Sequence, residues 1–312
     1  MPEVAANSAR DGFIDTRTLM QTRSLELRAR IVVQGFWNGI HRSPYHGFSV
    51  EFTEYRQYVP GDDPRYVDWR VYARSDRYYI KKFEDETNLR CHLLVDQSRS
   101  MTFGSGDWTK ADYAHTLAAT LAYFLFQQGD AVGLLSFDES IRDYLPARNR
   151  PGHLRQLMLS LEKPAAGQAT SIAKPLQRIV ELVNKRGLMV LISDLLAPVE
   201  ELEAKLGRLT ATGHDVVVLR VLDPREIDFD FEDALLFHDV ESEKDLFIDP
   251  AVAKRNYLQR FAEHGDTARA ICSKLGADYL QVTTDEPLDQ VLANYLRQRQ
   301  RRGKTIQRHA NA

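Results

Sequence analysis

Cys91-His92-Leu93-Leu94-Val95-Asp96-Gln97-Ser98-Arg99-Ser100-Met101 is the stretch that decides the fold. The apolar run from Leu93 to Val95 ends on an acid, and two hydroxyls follow at alternate positions, giving Asp-x-Ser-x-Ser. A short apolar run of this kind reads as a buried strand. Its last residue delivers a carboxylate to the carboxyl edge of a sheet, where ligands bind in open α/β folds. Asp96, Ser98 and Ser100 then offer hard oxygens from one loop, the donor type that suits a divalent cation.

Downstream, strands and helices alternate. A helix is expected from about Lys110 to Gln128, with Ala111, Ala114, Leu117, Ala118, Leu121 and Leu125 on one face. Strands follow at Ala131–Phe137 and Ile141–Leu145, joined as a hairpin by Asp138-Glu139-Ser140. Helices are expected over His153–Leu161 and about Ser171–Lys185. The run Leu188–Ile192 is a second buried strand, stopping on Ser193-Asp194. A helix over Val199–Thr210 and a strand over Val216–Val221 come next, then an acidic insert at 223–249 with a hairpin around Leu235–Phe237 and Leu246–Ile248. A helix or helix pair at 251–275, a strand at Asp278–Val282 and a helix at Leu288–Arg299 close the pattern. Such alternation implies parallel strands joined by helical crossovers, a doubly wound α/β fold of Rossmann-like type.

Upstream, residues 1–14 are small and polar. A helix is expected from Thr18 to about Trp37, started by Asp15 or Thr16. Residues 46–88 are rich in Tyr, Arg and Asp; Phe48, Val50 and Phe52 alternate as in a strand, Pro60–Pro64 is a turn, and Tyr78, Ile80 and Phe83 suggest a further extended piece. The chain thus divides into a tail and helix (1–45), a small β-rich module (46–89), the α/β domain (90–300) and a basic tail (301–312).

The 312 residues carry 43% hydrophobic and 27% charged residues and a net charge of −3, ordinary for a globular protein. That balance provides no general basic field for nucleic acid or anionic membrane. Residues 54–90 hold eight acids and eight bases, whereas a nucleic-acid surface is lopsidedly basic; this segment reads as a salt-bridged module or a partner surface. The two cysteines, Cys91 and Cys272, form no metal-ligand or disulfide pattern, which favours a reducing cytoplasm. The segment MPEVAANSARDGF lacks the apolar core of a signal peptide, and no run approaches the ~18 apolar residues of a membrane span. His92, His153 and His214 read as ordinary polar residues. No P-loop is present.

Three places converge if the sheet is doubly wound: Asp96, Ser98 and Ser100; Thr170, with Ser171 beside it, before a helix; and Ser193-Asp194. Ser, Thr and Asp also cap helices and populate loops, so Asp-x-Ser-x-Ser alone is a weak signal, and Thr170 fits an N-cap as well. Together, however, one or two carboxylates, three hydroxyls and waters suit Mg2+, and Mn2+ equally. Such a site leaves room for a carboxylate from outside.

This order of residues resembles the metal-ion-dependent adhesion site of von Willebrand factor type A domains. The chain further resembles a bacterial and archaeal family containing such a domain, known as domain of unknown function fifty-eight. The resemblance rests on Glu51-Phe52, Tyr55 through Arg65, Asp68-Trp69-Arg70, Asp96 through Met101, Phe103-Gly104, Tyr257 to Phe261, Thr284-Asp285 and Pro287-Leu288. It implies metal ligation by Asp96, Ser98, Ser100, Thr170 (or Ser171) and Asp194, the last often through water. It also implies partnership with a MoxR-type AAA+ ATPase or its client in assembly, maturation or stress functions. The expected function is therefore a non-enzymatic, metal-dependent protein-binding adaptor. The alternative is a metal-dependent phosphohydrolase with Asp96 as nucleophile, a chemistry that a strand-end acid suits. Against it, Ser98 stands where haloacid-dehalogenase-like enzymes carry a second acid, and no Lys-bearing motif completes the site.

Overall fold

The computed structural model describes residues 15–42, 55–57, 72, 74, 78–81, 89–165, 173–183, 185–229, 235–238, 245–248, 250–297 and 299. Two compact units emerge, one made of residues 1–40 and 89–312 and the other of residues 41–88.

The larger unit is built on a six-stranded sheet, ordered β10-β7-β6-β3-β4-β5. The strands are β3 (Arg90–Asp96), β4 (Ala131–Phe137), β5 (Ile141–Arg148), β6 (Leu188–Ser193), β7 (Asp215–Leu222) and β10 (Asp278–Thr283). All neighbours pair in parallel except β4 and β5, the expected hairpin, which are antiparallel. Strands β3, β6 and β7 carry apolar runs (Leu93–Val95, Leu188–Ile192 and Val216–Leu219) because they are covered on both faces, as parallel strands joined by helices must be. Cys91, Leu93 and Val95 enter one core. Leu94 enters the opposite one.

The first core is covered by α2 (Leu25–Arg42), α3 (Lys110–Gln127), α4 (His153–Leu161) and α9 (residues 288–297). The second is covered by α5 (Ala173–Leu182), α6 (Val199–Ala211) and α8 (Pro250–Lys274). This is the doubly wound α/β architecture that the alternation implies. Strand order reverses between β3 and β6, and such a switch point opens a crevice at the carboxyl ends.

The single helix expected over Thr18–Trp37 is two: α1 (Thr16–Met20) and α2. Asp15 caps α1 by accepting from Thr18 N at 3.1 Å. Ser24 starts α2 anew, its hydroxyl accepting from Leu27 N at 3.3 Å. Helix α2 joins the main core, with Ala29, Val32, Val33 and Phe36 buried and Phe36 edge-on to Phe124 at 5.8 Å.

The 223–249 segment opens with a short helix, α7 (Pro224–Asp228), and continues into the expected hairpin of β8 (Leu235–His238) and β9 (Asp245–Ile248). In the smaller unit, β1 (Tyr55–Gln57) pairs antiparallel with β2 (Tyr79–Lys81), and Tyr72 stacks on Tyr78 at 4.4 Å. The expected strand at Phe48–Phe52, the Pro60–Pro64 turn and the basic tail lie outside the described residues. Among the described residues no helix is long and apolar enough to cross a membrane.

Candidate functional site

The register of the two central strands places Val95 opposite Ile192. Asp96 and Ser193 therefore leave the sheet side by side at the switch point, and both are fully buried. Ser193 Oγ donates to Asp96 Oδ2 at 2.6 Å and accepts from Leu195 N at 3.0 Å. The other oxygen, Asp96 Oδ1, accepts from Ser98 N at 2.9 Å. A 3-10 turn at Arg99–Thr102 then folds Ser100 back, so that its hydroxyl lies 3.1 Å from that of Ser98. Asp96, Ser98, Ser100 and Asp194 are thus brought to one edge. Thr170 and its rival Ser171 lie outside the described residues.

Asp194 is equally buried. Its Oδ1 accepts from Leu196 N at 3.3 Å and its Oδ2 accepts from Lys110 Nζ at 2.8 Å. Lys110 is the first residue of α3, wholly excluded from solvent, and its ammonium also reaches Glu226 Oε1 at 2.6 Å. A cation at a helix N-terminus opposes the helix dipole, and burying it unpaired would cost several kcal/mol. The two carboxylates are what make the position tenable. Lys110, which the sequence reading did not single out, is bonded to both Asp194 and Glu226.

Glu226 arrives from α7, whose start is a capping box. Asp223 Oδ1 accepts from Arg225 N at 2.9 Å, and Glu226 Oε2 accepts from Asp223 N at 3.0 Å. Asp223 Oδ2 also accepts from Ser105 N at 2.8 Å, tying the end of β7 to the loop that follows the two serines. The turn after β6 is clamped from the same side. Arg220 Nε donates to Asp194 O at 3.1 Å, and His264 Nε2 lies 2.7 Å from Leu195 O. These contacts hold Leu195 at φ +57°, a left-handed conformation unusual for a branched side chain.

The electrostatics follow from burial. Asp96 has its carboxyl pushed up to about 6, first by burial and then by the neighbouring Asp194 charge; the bonds from Ser193 and Ser98 oppose this. Burial pushes the Lys110 ammonium down, but Asp194 and Glu226 together outweigh it and hold it above the ordinary range. Glu226 is raised because burial outweighs the pull of Lys110. Among the described residues the donors bonded to Asp96 are a backbone N–H and a hydroxyl, both neutral. Among the described residues no three His, Cys, Asp or Glu side chains gather as a metal cluster. The edge is instead rich in hydroxyls, a donor set for a hard cation.

Four contributors escaped the sequence reading: Lys110, Ser193 as the partner of Asp96, Arg220, and the Asp223–Glu226 box assigned to the acidic insert. The last carried a signal, because Asp223-Pro224-Arg225-Glu226 has the acid at N-cap, proline at N1 and glutamate at N3 that open a helix.

Comparison with known proteins gives a family match: the model described as "Protein of unknown function DUF58" covers residues 54–270. An uncharacterized protein of Mycobacterium tuberculosis is 29% identical over 276 residues, spanning 87% of this chain and 86% of its own. A Mycobacterium bovis protein, also uncharacterized, matches to the same extent. Among solved structures, an aerotolerance-related membrane protein from Bacteroides fragilis aligns with a TM-score of 0.44 and 18% identity, over 66% of this chain and 97% of its own. The SpRpn10 VWA domain aligns with a TM-score of 0.39 and 13% identity, over 65% and 94%.

Proposed function

The chain belongs to the DUF58 family of proteins of unknown function, and on that premise we propose that it is a non-enzymatic, cytoplasmic protein-binding adaptor. Its contact point is a divalent-metal site formed by Asp96, Ser98, Ser100, Thr170 and Asp194, holding Mg2+ or Mn2+. Bound there, the ion supplies a Lewis-acidic position for a partner's Asp or Glu. The partner is a MoxR-type AAA+ ATPase or its client, as the resemblance of the sequence implies.

The observation that carries this reading is the serine pair. Mg2+ takes hard oxygen ligands and would accept two hydroxyls offered side by side from one loop. The Ser98 and Ser100 hydroxyls are separated by 3.1 Å. The raised carboxyl of Asp96 supports the same reading, because a cation would relieve what burial and the Asp194 charge impose on it. Asp194, held by Lys110, suits contact through water, as the resemblance implies. The chain's own residues orient the hydroxyls, exclude water from Asp96 and fix the turn beside it.

The phosphohydrolase alternative draws no comparable support. Ser98 stands where a haloacid-dehalogenase-like site carries its second acid, and its hydroxyl faces that of Ser100 at 3.1 Å. Pull-downs with a candidate AAA+ partner, with and without Mg2+, on wild type and Asp96→Ala, test the proposal. Recovery should need both Mg2+ and Asp96; equal recovery in every condition contradicts it.

A further inference from the structure

Lys110 enters the adaptor reading only as the group that holds Asp194, yet among the described residues it is the cation bonded to the side chain of one of the assigned ligands. Its Nζ lies 2.8 Å from Asp194 Oδ2 and 2.6 Å from Glu226 Oε1, and its side chain is wholly shielded from solvent. It is not free to swing away. The capping box of Thr109 and Asp112 fixes the start of α3, with Thr109 N donating to Asp112 Oδ2 at 2.9 Å and Asp112 N to Thr109 Oγ1 at 3.1 Å. Phe103 lies under the ammonium at 5.9 Å from ring centroid to Nζ. Glu226 is likewise held, by the box that opens α7.

We infer that Lys110 is a positioning residue that acts as a built-in counter-cation at the candidate metal site, keeping the affinity for a bare divalent ion low. The inference rests on the metal-site reading. Its logic is electrostatic. An ammonium fixed on Asp194 cancels the charge which that acid would lend to a second cation and occupies its Oδ2. The ammonium stands 2.8 Å from Asp194 Oδ2, and a fixed unit charge that close to a ligand shifts the binding of a divalent ion strongly, even through a screened interior. The site is thereby left short of negative charge. A carboxylate brought by a partner restores it, so that metal and partner bind better together than either does alone, a reciprocal coupling. Glu226 works in the opposite sense, because its charge offsets part of the lysine's.

The test uses Mn2+ alone as probe, titrated into the chelator-treated full chain and followed by the loss of the free-ion electron paramagnetic resonance signal. Lys110→Met should bind Mn2+ about tenfold tighter than wild type or more. Lys110→Arg, which keeps the charge, should stay within about threefold of it. Glu226→Gln should weaken binding several-fold, and it gives the opposite-sign readout if Lys110→Met fails to fold by circular dichroism. A purely structural role for Lys110 would make Met and Arg alike and would give no opposed effect at Glu226. If wild type binds Mn2+ and Lys110→Met binds it no tighter, the inference about Lys110 is overturned and the metal site stands. If neither they nor Lys110→Arg retain Mn2+ better than Ser98→Ala, the metal reading falls and this one with it.

Discussion

Replacing Ser193 by alanine removes one oxygen atom and breaks two bonds at the switch point. The hydroxyl donates to Asp96 Oδ2 at 2.6 Å and accepts from Leu195 N at 3.0 Å, and all three residues are fully buried. A hydrogen bond to a charged group contributes about 1.5–3 kcal/mol, and a buried N–H left without an acceptor costs about 1–3 kcal/mol. Relaxation, or a water in the vacated volume, recovers part of this. We therefore expect Ser193→Ala to lower stability by about 3 kcal/mol. Much of the loss should fall on the left-handed Leu195 turn, which that N–H bond helps to hold. Urea unfolding followed by circular dichroism, in chelator to remove any cation effect, reads the change as a lower midpoint at unchanged slope. A double-mutant cycle with Asp96→Ala isolates the pair, with an expected coupling of about 1.5–3 kcal/mol. A loss below about 1 kcal/mol with no coupling would refute the claim that Ser193 anchors Asp96.

Other consequences are open to simple measurement. A Cβ on Gly104 would stand 2.3 Å from Trp108 O and 2.8 Å from Thr109 Cα, so Gly104→Ala should cost about 2 kcal/mol by forcing the loop off the start of α3; stability equal to wild type in urea would contradict it. Burial holds the His92 and His115 imidazoles down to about 4, while in the unfolded chain they titrate near 6.5. The unfolded state therefore takes up protons first as pH falls, and stability is lost from about pH 6.5 down to 4, by roughly 2 kcal/mol per histidine between pH 7 and 5. Asp96, raised to about 6, acts in the opposite direction, since its proton favours the folded state below that pH. His115→Gln should accordingly remove about 2 kcal/mol of the acid sensitivity in urea midpoints taken at the two pH values. Cys91 and Cys272 are free and buried, with both thiols pushed up by burial, Cys272 to about 11; a thiol-reactive dye should label neither in the native chain and both in urea, and rapid native labelling would contradict their burial.

The sheet was legible because its central strands carry the apolar runs Leu93–Val95, Leu188–Ile192 and Val216–Leu219, a pattern that doubly covered strands sustain. Helix α4 coincides with the reading, and α3 and α6 differ from it by a residue at one end, since apolar spacing marks their buried faces. The break between α1 and α2 was missed because apolar spacing runs through it, although Ser24 supplied a cap. At the site, Asp96, Ser98, Ser100 and Asp194 were visible as strand-end chemistry. Ser193 could not be assigned to Asp96 without the register of β3 against β6, which a lone sequence does not carry. Lys110 was hidden for a different reason: a lysine at the start of a helix reads as a solvated end, and only the meeting of α3, β6 and α7 buries it. Glu226 was obscured by the acidic composition around it, which drew attention from the capping box in which it sits.

The central claim is that Ser98 and Ser100, beside Asp96, hold a divalent ion. Titrating Mn2+ into the chelator-treated chain, up to the millimolar range, tests it most directly. One saturable site per chain is predicted for wild type, competed by Mg2+ and lost in a Ser98→Ala/Ser100→Ala variant that keeps the wild-type circular dichroism spectrum. No saturable binding in wild type, or equal binding by the variant, would contradict the account.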